Sequence, residues 1–431
     1  MPSSVTVLDR AMIEQAAVQH FEELIAIVPN LNWSGDGHRA RYLQIRGVGE
    51  LEQYEGAPNP SVGFIVDDID FSGIGTIATL FDLRQIEILR GPQGSRYGAN
   101  ALGGLVYIQS AEPDDEFTGF ARLTAAGDDA LSGGVAFGGP LGDTLGYRVS
   151  THHYQSNGFR ANPYLQREDT NARDETTVRA KIRWEAANDW VVRLTAMYTD
   201  IDNGYDAFAI DNSLVVLSDK PGRDAQQSLG TSLRASWNGS HRYEFTSLTS
   251  FADSSIVYSF DADWGNDLAW APVTYDYFSG NDRTRRTISQ EFRLSSGDDG
   301  RIFSGTTDWL VGIYALDMQD DLDTHNVGEY DDAFFAESVD SRYSGRFDAL
   351  NTAVFGQLES DVGESGRLGL GLRFEHRSTD YADSDGLSLD PGYTMSGGEL
   401  SYRHFFSDSV TGFVSASKGY KAGGFNLGAV P

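Results

Sequence analysis

The residues that most often carry catalysis are sparse in this chain. It contains no cysteine, which excludes a disulfide framework, a thiolate metal site and a cysteine nucleophile. Eight histidines are scattered along it, and the one adjacent pair, His152 and His153, would point to opposite faces of a strand. The Gly-x-Ser-x-Gly nucleophile motif is absent, and Gly47-Val48-Gly49 lacks the rest of a dinucleotide-binding fingerprint. We therefore predict a protein that is not an enzyme, with no catalytic residue and no cofactor.

Acidic runs offer oxygen ligands but do not complete a cation site. The segment 383–386, Asp-Ser-Asp-Gly, is close to a calcium-binding loop. Tyr381, however, stands where the first aspartate should be, and Gly392 stands where the bidentate glutamate should be. A second run is expected to form the solvated face of a loop and contains Asp317, Asp320, Asp321 and Asp323. The sequence thus predicts no metal site.

Aromatic side chains in polar spans are the more promising binding groups. They could hold an aromatic or chelate ligand, or they could pack on one another and anchor the loops. The sequence leaves both interpretations open for Tyr205, Phe208, Trp264, Trp270 and Tyr275.

These groups lie in a part of the chain, from residue 117 onward, that alternates apolar and polar residues. In 178–184 the odd-numbered residues are cationic and the even-numbered ones are apolar or small, and three charges on one face need water rather than a dry core. Aromatic residues such as Trp184, Trp190 and Trp237 recur at the ends of such segments. An apolar outer band, a polar interior and aromatic girdles are typical of a transmembrane β-barrel.

About thirteen strands of this kind are predicted, with a further one near 409–418. Short links alternate with long polar spans at 157–175, 201–227, 261–282, 319–350 and 380–395, as an outer-membrane topology requires. The other predicted strands lie near 117–126, 131–139, 144–154, 176–186, 189–200, 228–239, 242–253, 255–261, 283–296, 306–319, 351–362, 367–379 and 396–406.

The first 113 residues predict a small α+β domain. Asp9 is a suitable cap for a helix from Arg10 to about Phe21. The stretch 83–113 predicts a strand, a tight Gly-Pro turn, a glycine-rich loop and a second strand. Further elements are predicted as strands at 5–8, 42–46 and 61–66, a helical turn at 21–28 and a short helix near 77–80.

Residues 86–108, IEILRGPQGSRYGANALGGLVYI, resemble the plug-domain signature of TonB-dependent outer-membrane receptors. Upstream segments at 29–31 with 45–47, and at 62–68, also resemble the plug domain of this family in their order and spacing. Far downstream, SKGYKAGGFN at 417–426 resembles a barrel-strand motif of the same family. The signature residues are Gly47, Gly91, Pro92, Gly94, Tyr97, Gly98, Gly103 and Gly104.

The resemblance implies an α+β plug domain, residues 1–113, inside an antiparallel transmembrane β-barrel formed by 114–431. About 13–14 of the family's roughly 22 strands would be present. No signal peptide is visible at the N-terminus, so we expect a chain truncated at both ends.

The function that the resemblance implies is TonB-dependent active transport across the bacterial outer membrane. The expected partners are outer-membrane lipid, TonB with its inner-membrane energising complex, and a ferric siderophore, the commonest ligand class of the family. Cobalamin, haem, nickel chelates and oligosaccharides stay open. Haem is less favoured, because the motif of haem receptors is missing and His38 is the only histidine near the expected plug apex.

The family also pairs plug arginines with carboxylates of the barrel wall. Carried over to this chain, Arg46 and Arg90 would pair with Glu291 and Glu359 as a latch. Strand alternation places both glutamates on the inner face.

The net charge of the chain helps to decide among the other classes of function. The formal net charge of −30 argues against a nucleic-acid partner and fits either solvated loops or an acidic mouth. A passive porin or adhesin and a soluble β-rich carbohydrate-binding protein or enzyme are the alternatives. Uptake that depends on the proton gradient would distinguish a TonB-dependent receptor from a passive porin or adhesin. Partition of the protein into detergent would distinguish it from a soluble protein.

Overall fold

A computed structural model of the protein describes residues 4–16, 18–35, 39–51, 58–74, 79–94, 98–206 and 208–425. These residues form a five-stranded sheet, a 14-stranded sheet and a two-stranded ribbon. In the described part of the chain, no helix combines the length and hydropathy needed to cross a membrane.

The five-stranded sheet and the elements packed on it, residues 4–110, are called the plug below. Its strand order is β1-β6-β7-β4-β5, with β4 parallel to β7 and all other pairs antiparallel. Ile86 and Ile88 on β6 face Ile108 and Val106 on β7, and all four are completely buried. The strands are β1 (Ser4–Asp9), β2 (Leu31–Ser34), β3 (Tyr42–Ile45), β4 (Val62–Val66), β5 (Ile69–Asp70), β6 (Leu83–Arg90) and β7 (Gly104–Ser110).

The first helix is shorter than predicted. α1 spans Arg10–Ala16, and the carboxylate of Asp9 accepts the backbone N–H of Met12 at 2.9 Å, as a cap should. The helix does not reach Phe21, because His20 is extended and pairs with Thr79 in an isolated bridge. A 3₁₀ helix, Phe21–Ile27, follows, and another lies at Ala99–Ala101. Residues 77 and 78 of the predicted helix near 77–80 lie outside the described residues, and Thr79 and Leu80 are not helical.

The 14-stranded antiparallel sheet is called the wall. Its pairing path runs from β21 to β8, with β19 added to β18, and no ladder joins β8 to β21 among the described residues. Its strands are β8 (Thr118–Ala125), β9 (Leu131–Pro140), β10 (Leu145–Ser156), β11 (Arg173–Ala186), β12 (Trp190–Tyr205), β13 (Gly222–Trp237), β14 (Tyr243–Asp261), β15 (Thr274–Ser296), β16 (Thr307–Asp331), β17 (Ala336–Val362), β18 (Gly366–Asp383), β19 (Ser388–Leu389), β20 (Gly392–Ser407) and β21 (Val410–Lys418). The helix α2, Asp267–Trp270, and a 3₁₀ turn, Asp298–Gly300, lie in two links.

The two faces of the wall divide by polarity, as predicted. The outer face exposes apolar side chains, including Val178, Ile182, Leu194, Leu229, Leu233, Ile288, Ile313, Val354, Leu370, Leu372 and Phe374. The inner face buries polar ones, including Arg148, His152, Arg179, Lys181, Thr199, Ser228 and Ser232. Aromatic pairs such as Trp190–Phe245 and Tyr243–Trp309 stand near the short turns. This pattern confirms the α+β plug with an antiparallel, outer-membrane type of wall.

Three strands are much longer than predicted. The spans 261–282 and 319–350 were expected to be loops, yet β15, β16 and β17 have 23, 25 and 27 residues. The predicted strands 242–253 and 255–261 are one strand, β14, because its ladder with β13 continues without a break through Ser254. The extensions mix polar and apolar residues, among them the buried Leu322 and Phe347, so they carry no clear period-two hydrophobic signal.

Candidate ligand-binding cavity

The plug lies against the inner face of the wall, and buried ion pairs join the two. Lys181 on β11 donates to Asp67 of the plug at 2.9 Å and to Glu112, just after the plug, at 2.8 Å. Burial opposes the charge of Asp67, but Lys181 and the hydrogen bonds from Ser110 hold the pKa of that carboxyl below its usual value.

The other two cations predicted on β11 differ in their surroundings, because Arg179 meets the plug and Arg183 lies partly in water. Arg179 is buried and donates to the carbonyls of Phe81 and Thr79. Arg183 pairs with Asp115 at 2.5 Å. The expectation that this face needs water is therefore wrong for Lys181 and Arg179, which bind the plug, whereas the side chain of Arg183 is 27% exposed and does meet water.

Two forked arginine–carboxylate pairs add to this attachment. Arg148 on β10 donates to both oxygens of Asp82, at 2.9 and 2.5 Å, and Arg234 on β13 donates to both oxygens of Asp68, at 3.0 and 2.7 Å. Both carboxylates belong to the plug. A bidentate pair fixes orientation as well as distance, so each fork locates the plug against one strand of the wall.

An ion pair between a histidine of the plug and a glutamate of β11 also joins the two. Nε2 of His20 lies 2.6 Å from Glu175, and Nδ1 lies 3.2 Å from Glu23. Burial works against the charged ring, and so does the guanidinium of Arg173, whose Nη1 lies 2.9 Å from Nδ1. The charge of Glu175 and the hydrogen bonds to Glu175 and Glu23 outweigh both and raise the pKa of His20 to about 9. His152 and His153 do face opposite sides, as predicted, with His152 buried inward.

The segment after β21 turns back onto the plug. The hydroxyl of Tyr420 donates to Glu375 at 2.8 Å, and Lys421 donates to Glu50 at 2.5 Å. A Cβ built on Gly94 would lie 3.2 Å from the Tyr420 ring. The downstream motif therefore contacts the plug signature directly.

Several glycines of the signature provide positive φ angles, and Gly94, Gly98, Gly103 and Gly104 allow close packing. Gly47, Gly91, Gly98 and Gly104 have φ values between 77° and 152°. A Cβ on Gly98 would lie 3.0 Å from Glu375 and 3.1 Å from Arg373, a pair that is almost completely buried on β18. Only glycine accommodates both that backbone angle and that contact without strain. Tyr97 lies outside the described residues.

The latch predicted from the family pattern is not formed in this structure. Arg46 donates to Ser4 and Arg90 to the carbonyl of Pro29, so both guanidinium groups bind other parts of the plug. Glu291 pairs with Arg293 and Glu359 with Arg367, and among the described residues neither glutamate pairs with Arg46 or Arg90. Both glutamates lie on strands of the wall, and Glu291 is buried on its inner face. The attachment mostly has the opposite polarity, with wall cations and plug carboxylates.

A cavity of about 670 Å³ opens between the plug apex and strands β14 to β17. Its size falls within the usual range for small-molecule sites. Three arginines and one aspartate line it, together with four aromatic rings. The charged and aromatic lining residues are Arg41, Arg283, Arg342, Asp385, Tyr42, Tyr258, Phe260 and Tyr343. Hydrogen-bonding side chains complete the lining, namely Ser279, Asn281, Thr324, Asn326 and Ser341.

An ion-pair cluster of the plug with β13 adjoins the cavity through Arg41. Arg39 and Arg41 of the plug both contact Asp224, with shortest distances of 2.6 and 2.8 Å. On the wall, Asp320 pairs with Arg285 at 2.6 Å and lies 3.6 Å from Arg283. Asp320 is buried, so the expectation that its acidic run is a solvated loop face is wrong at this position.

The aromatic residues predicted to bind a ligand lie mostly outside this lining. Tyr205 stacks edge-on with the lining residue Tyr258 at 5.0 Å. Phe208 packs on Trp264, and Trp270 packs on Tyr275, at the far ends of the strands. A ligand contact of these residues stays a prediction, and His38 lies outside the described residues.

Sequence reasoning missed the cavity arginines. Arg283 and Arg342 lie in spans predicted as loops or strand ends, and a single arginine there carries no motif. Arg39 and Arg41 alternate just before β3, which was a usable signal for a shared inner face. In the described residues no group of three or more His, Cys, Asp or Glu could hold a metal ion.

A plug fitted inside a β-sheet wall with an outward apolar band defines an outer-membrane receptor, and the comparisons agree. A family model described as the TonB-dependent receptor plug domain matches residues 1–105, and one described as a TonB-dependent receptor-like β-barrel matches residues 200–430. The chain belongs to the TonB-dependent receptors, a family of outer-membrane proteins that are receptors rather than enzymes.

The individual relatives share low sequence identity with this chain. The pesticin receptor of Yersinia pestis is 25% identical over 447 residues, which cover 98% of this chain and 61% of that protein. The ferric yersiniabactin uptake receptor FyuA from Yersinia pestis superposes with a TM-score of 0.79 at 20% identity, covering 96% of this chain and 64% of that one. The ferric citrate transporter FecA in its unliganded form gives 0.74 at 14% identity, covering 97% and 62%. The chain thus spans about 61% of the length of the curated relative.

Proposed function

We propose that this chain provides the plug and part of the barrel of a receptor that takes up a ferric siderophore across the outer membrane. The cavity between plug apex and wall carries the proposal. Three guanidinium groups attract an anion, and four aromatic rings offer flat apolar surface. Ferric chelates built on anionic oxygen donors commonly combine negative charge with aromatic rings. Solved neighbours named as a ferric yersiniabactin uptake receptor and as the siderophore receptor PiuA from Acinetobacter baumannii support the same ligand class.

We also propose the division of labour within the chain. Residues 1–113 form the plug domain and 114–431 the wall, the boundary falling in the link between Ser110 and Thr118. TonB with its energising complex would displace the plug, breaking its ion pairs with the wall, and thereby open a path for the ligand. The plug occupies the inner face, which favours this active mechanism over a passive porin.

The proposal is tested by uptake of radioactive ferric yersiniabactin into a host that lacks its own receptor for it. Expression of the protein in the outer membrane of that host should give uptake that a protonophore abolishes. Uptake that persists without the proton gradient would support a passive pore. Cobalamin and ferric citrate are added as competitors of ferric yersiniabactin. If the protein takes up cobalamin in preference to the siderophore, the proposed ligand class is wrong.

The cavity itself is tested by two variants on one strand. Arg283→Gln removes a cationic lining residue, whereas Arg286→Gln removes an exposed arginine that pairs with Asp253 on the outer face. Arg283→Gln should weaken binding of the ferric chelate about tenfold, as expected for a lost charge-assisted hydrogen bond. If both variants change the affinity for the ferric chelate equally, the ligand does not bind in this cavity.

A further inference from the structure

Two arginines of the plug share one carboxylate of the wall next to the cavity. Arg39 donates to both oxygens of Asp224, at 3.2 and 2.6 Å, and also to Gln226 at 2.6 Å. Arg41 donates to the same oxygen, Oδ1, at 2.8 Å. The attachment by Arg39 is therefore complete without Arg41.

Arg41 differs from Arg39 in that it also lines the cavity. Its guanidinium lies 4.4 Å from the centre of the Tyr258 ring, which is another lining residue. Asp224 is buried and does not line the cavity. The side chain of Arg41 thus stands between the wall carboxylate and the space for a ligand.

The charge around the cavity is unbalanced. In the described lining and next to it, five arginines face three aspartates. An anion in the cavity is therefore attracted, and it competes with the aspartates for the guanidinium groups. The five are Arg39, Arg41, Arg283, Arg285 and Arg342, and the three are Asp224, Asp320 and Asp385.

Of the lining arginines, Arg41 is the one shown here to join the plug to the wall. Arg283 stands in a similar relation to Asp320, but both of these lie on the wall. When Arg41 leaves Asp224, Arg39 still neutralises the carboxylate, so no buried charge is left without a partner.

Building on the proposed uptake function, we propose that Arg41 exchanges partners when an anionic ligand binds. The ligand draws the guanidinium from Asp224 into the cavity and loosens the plug apex from β13, while Arg39 keeps the plug seated. Arg41 directly precedes β3, whose residues Leu43 and Ile45 belong to the plug core. Ligand occupancy is thereby transmitted from the cavity to the plug.

The first test measures the accessibility of the backbone between the two arginines. Ala40 is completely buried and the chain has no cysteine, so Ala40→Cys gives a single reporter for N-ethylmaleimide. Sulfate, compared with chloride at equal ionic strength, and ferric yersiniabactin are the two probes. Each should raise the labelling rate at least about threefold in Ala40→Cys and should have no effect when Arg41→Gln is added. Ala136→Cys, equally buried on β9, is the control that should respond to neither.

The second test needs no reporter cysteine. Asp224→Asn removes the competing carboxylate, so it should raise the affinity for the probe about tenfold while Arg41 is present. In the Arg41→Gln background the gain should be much smaller, because only the lost negative charge beside Arg39 remains to act. Additive effects, or labelling that neither probe changes, would overturn the exchange. If ferric yersiniabactin fails to bind the unmodified chain, the proposed ligand class is wrong, and the sulfate measurements still decide the role of Arg41.

Discussion

Arg148 on β10 and Asp82 in the plug share two parallel hydrogen bonds, of 2.9 and 2.5 Å, with both side chains at most 5% exposed. A buried ion pair of this kind contributes little net stability over an apolar pair, but loss of one partner leaves an unpaired charge in the interior. The pair therefore makes the fit of plug and wall specific.

Removal of Asp82 should loosen the plug strongly. Asp82→Ala leaves the buried Arg148 with only the half-exposed Asp114, 3.7 Å away, as a counter-charge, so we expect the free energy of unfolding to fall by about 3 kcal/mol. Urea titration of the purified chain in detergent, followed by tryptophan fluorescence, measures this change. Combining Asp82→Leu with Arg148→Met should recover most of the loss.

The control for that experiment is the exposed pair of Arg183 with Asp115. Asp115 is 86% exposed, so Asp115→Ala should cost less than about 1 kcal/mol. Equal losses for Asp82→Ala and Asp115→Ala would contradict the burial of the Arg148–Asp82 pair.

Attachment of the plug should weaken at alkaline pH through His20. Its pKa is raised to about 9, against about 6.5 when the chain is unfolded, because Glu175 and Glu23 favour the charged ring despite burial. The stabilisation is therefore complete below about pH 6.5 and is lost as the pH rises through about 9. The free energy of unfolding, measured from pH 6 to pH 10, should fall by an amount on the order of 1–3 kcal/mol from this group.

The substitution His20→Gln should remove that part of the pH dependence. His153→Gln, on the outer face of β10, should leave the wild-type profile intact. A His20→Gln profile that still parallels the wild type would show that another group is responsible.

The glycine at position 98 should be far less replaceable than a glycine in an open turn. Gly98 and Gly142 both have positive φ, 82° and 96°, so alanine is strained at either by about 1–2 kcal/mol. A Cβ at position 98 would also meet Arg373 and Glu375, whereas nothing lies within 4 Å at position 142. Gly98→Ala should therefore lower the urea midpoint clearly more than Gly142→Ala does. Equal midpoints would mean that the signature does not pack on β18.

Because the outer face of the wall carries an apolar band, a charged side chain placed there should lower stability in the membrane by an amount that depends on its depth in the bilayer. Val354 lies between Ile313 and Phe374, both exposed and apolar, so Val354→Arg should cost about 2–4 kcal/mol of membrane stability. Val327 lies on the extension of β16 between Phe278 and Asp340, and Val327→Arg should cost less than about 1 kcal/mol. Refolding into lipid vesicles measures both, and a similar cost at the two positions would exclude such a band.

Much of the fold was predictable, because side-chain alternation is a local signal. The segment 178–184 showed its inner face through Arg179, Lys181 and Arg183, and the signature glycines indicated close packing. The extensions of β15 to β17 were not predictable, since they mix polar and apolar residues without a clear period of two. The partners of the inner cations could not be found either, because Lys181 and Asp67 are 114 residues apart and carry no joint motif.

The predicted latch illustrates that limit. Glu291 was placed correctly on the inner face, yet its partner depends on how the plug is rotated within the wall. That rotation is set by many contacts at once, including the forks on Asp68 and Asp82. A motif shared with a family specifies the fold more reliably than it specifies one ion pair.

Zero-length cross-linking tests most directly whether the wall encloses the plug. A carbodiimide joins amines only to carboxylates in contact, and Lys181 with Glu112 and Lys421 with Glu50 are such pairs. Mass spectrometry of the digested chain in detergent should find both cross-links, along with the exposed pair Lys220 with Asp276 as a positive control. Recovery of the Lys220 cross-link alone, with Lys181 joined to neither Asp67 nor Glu112 and Lys421 not joined to Glu50, would contradict a plug held inside the wall.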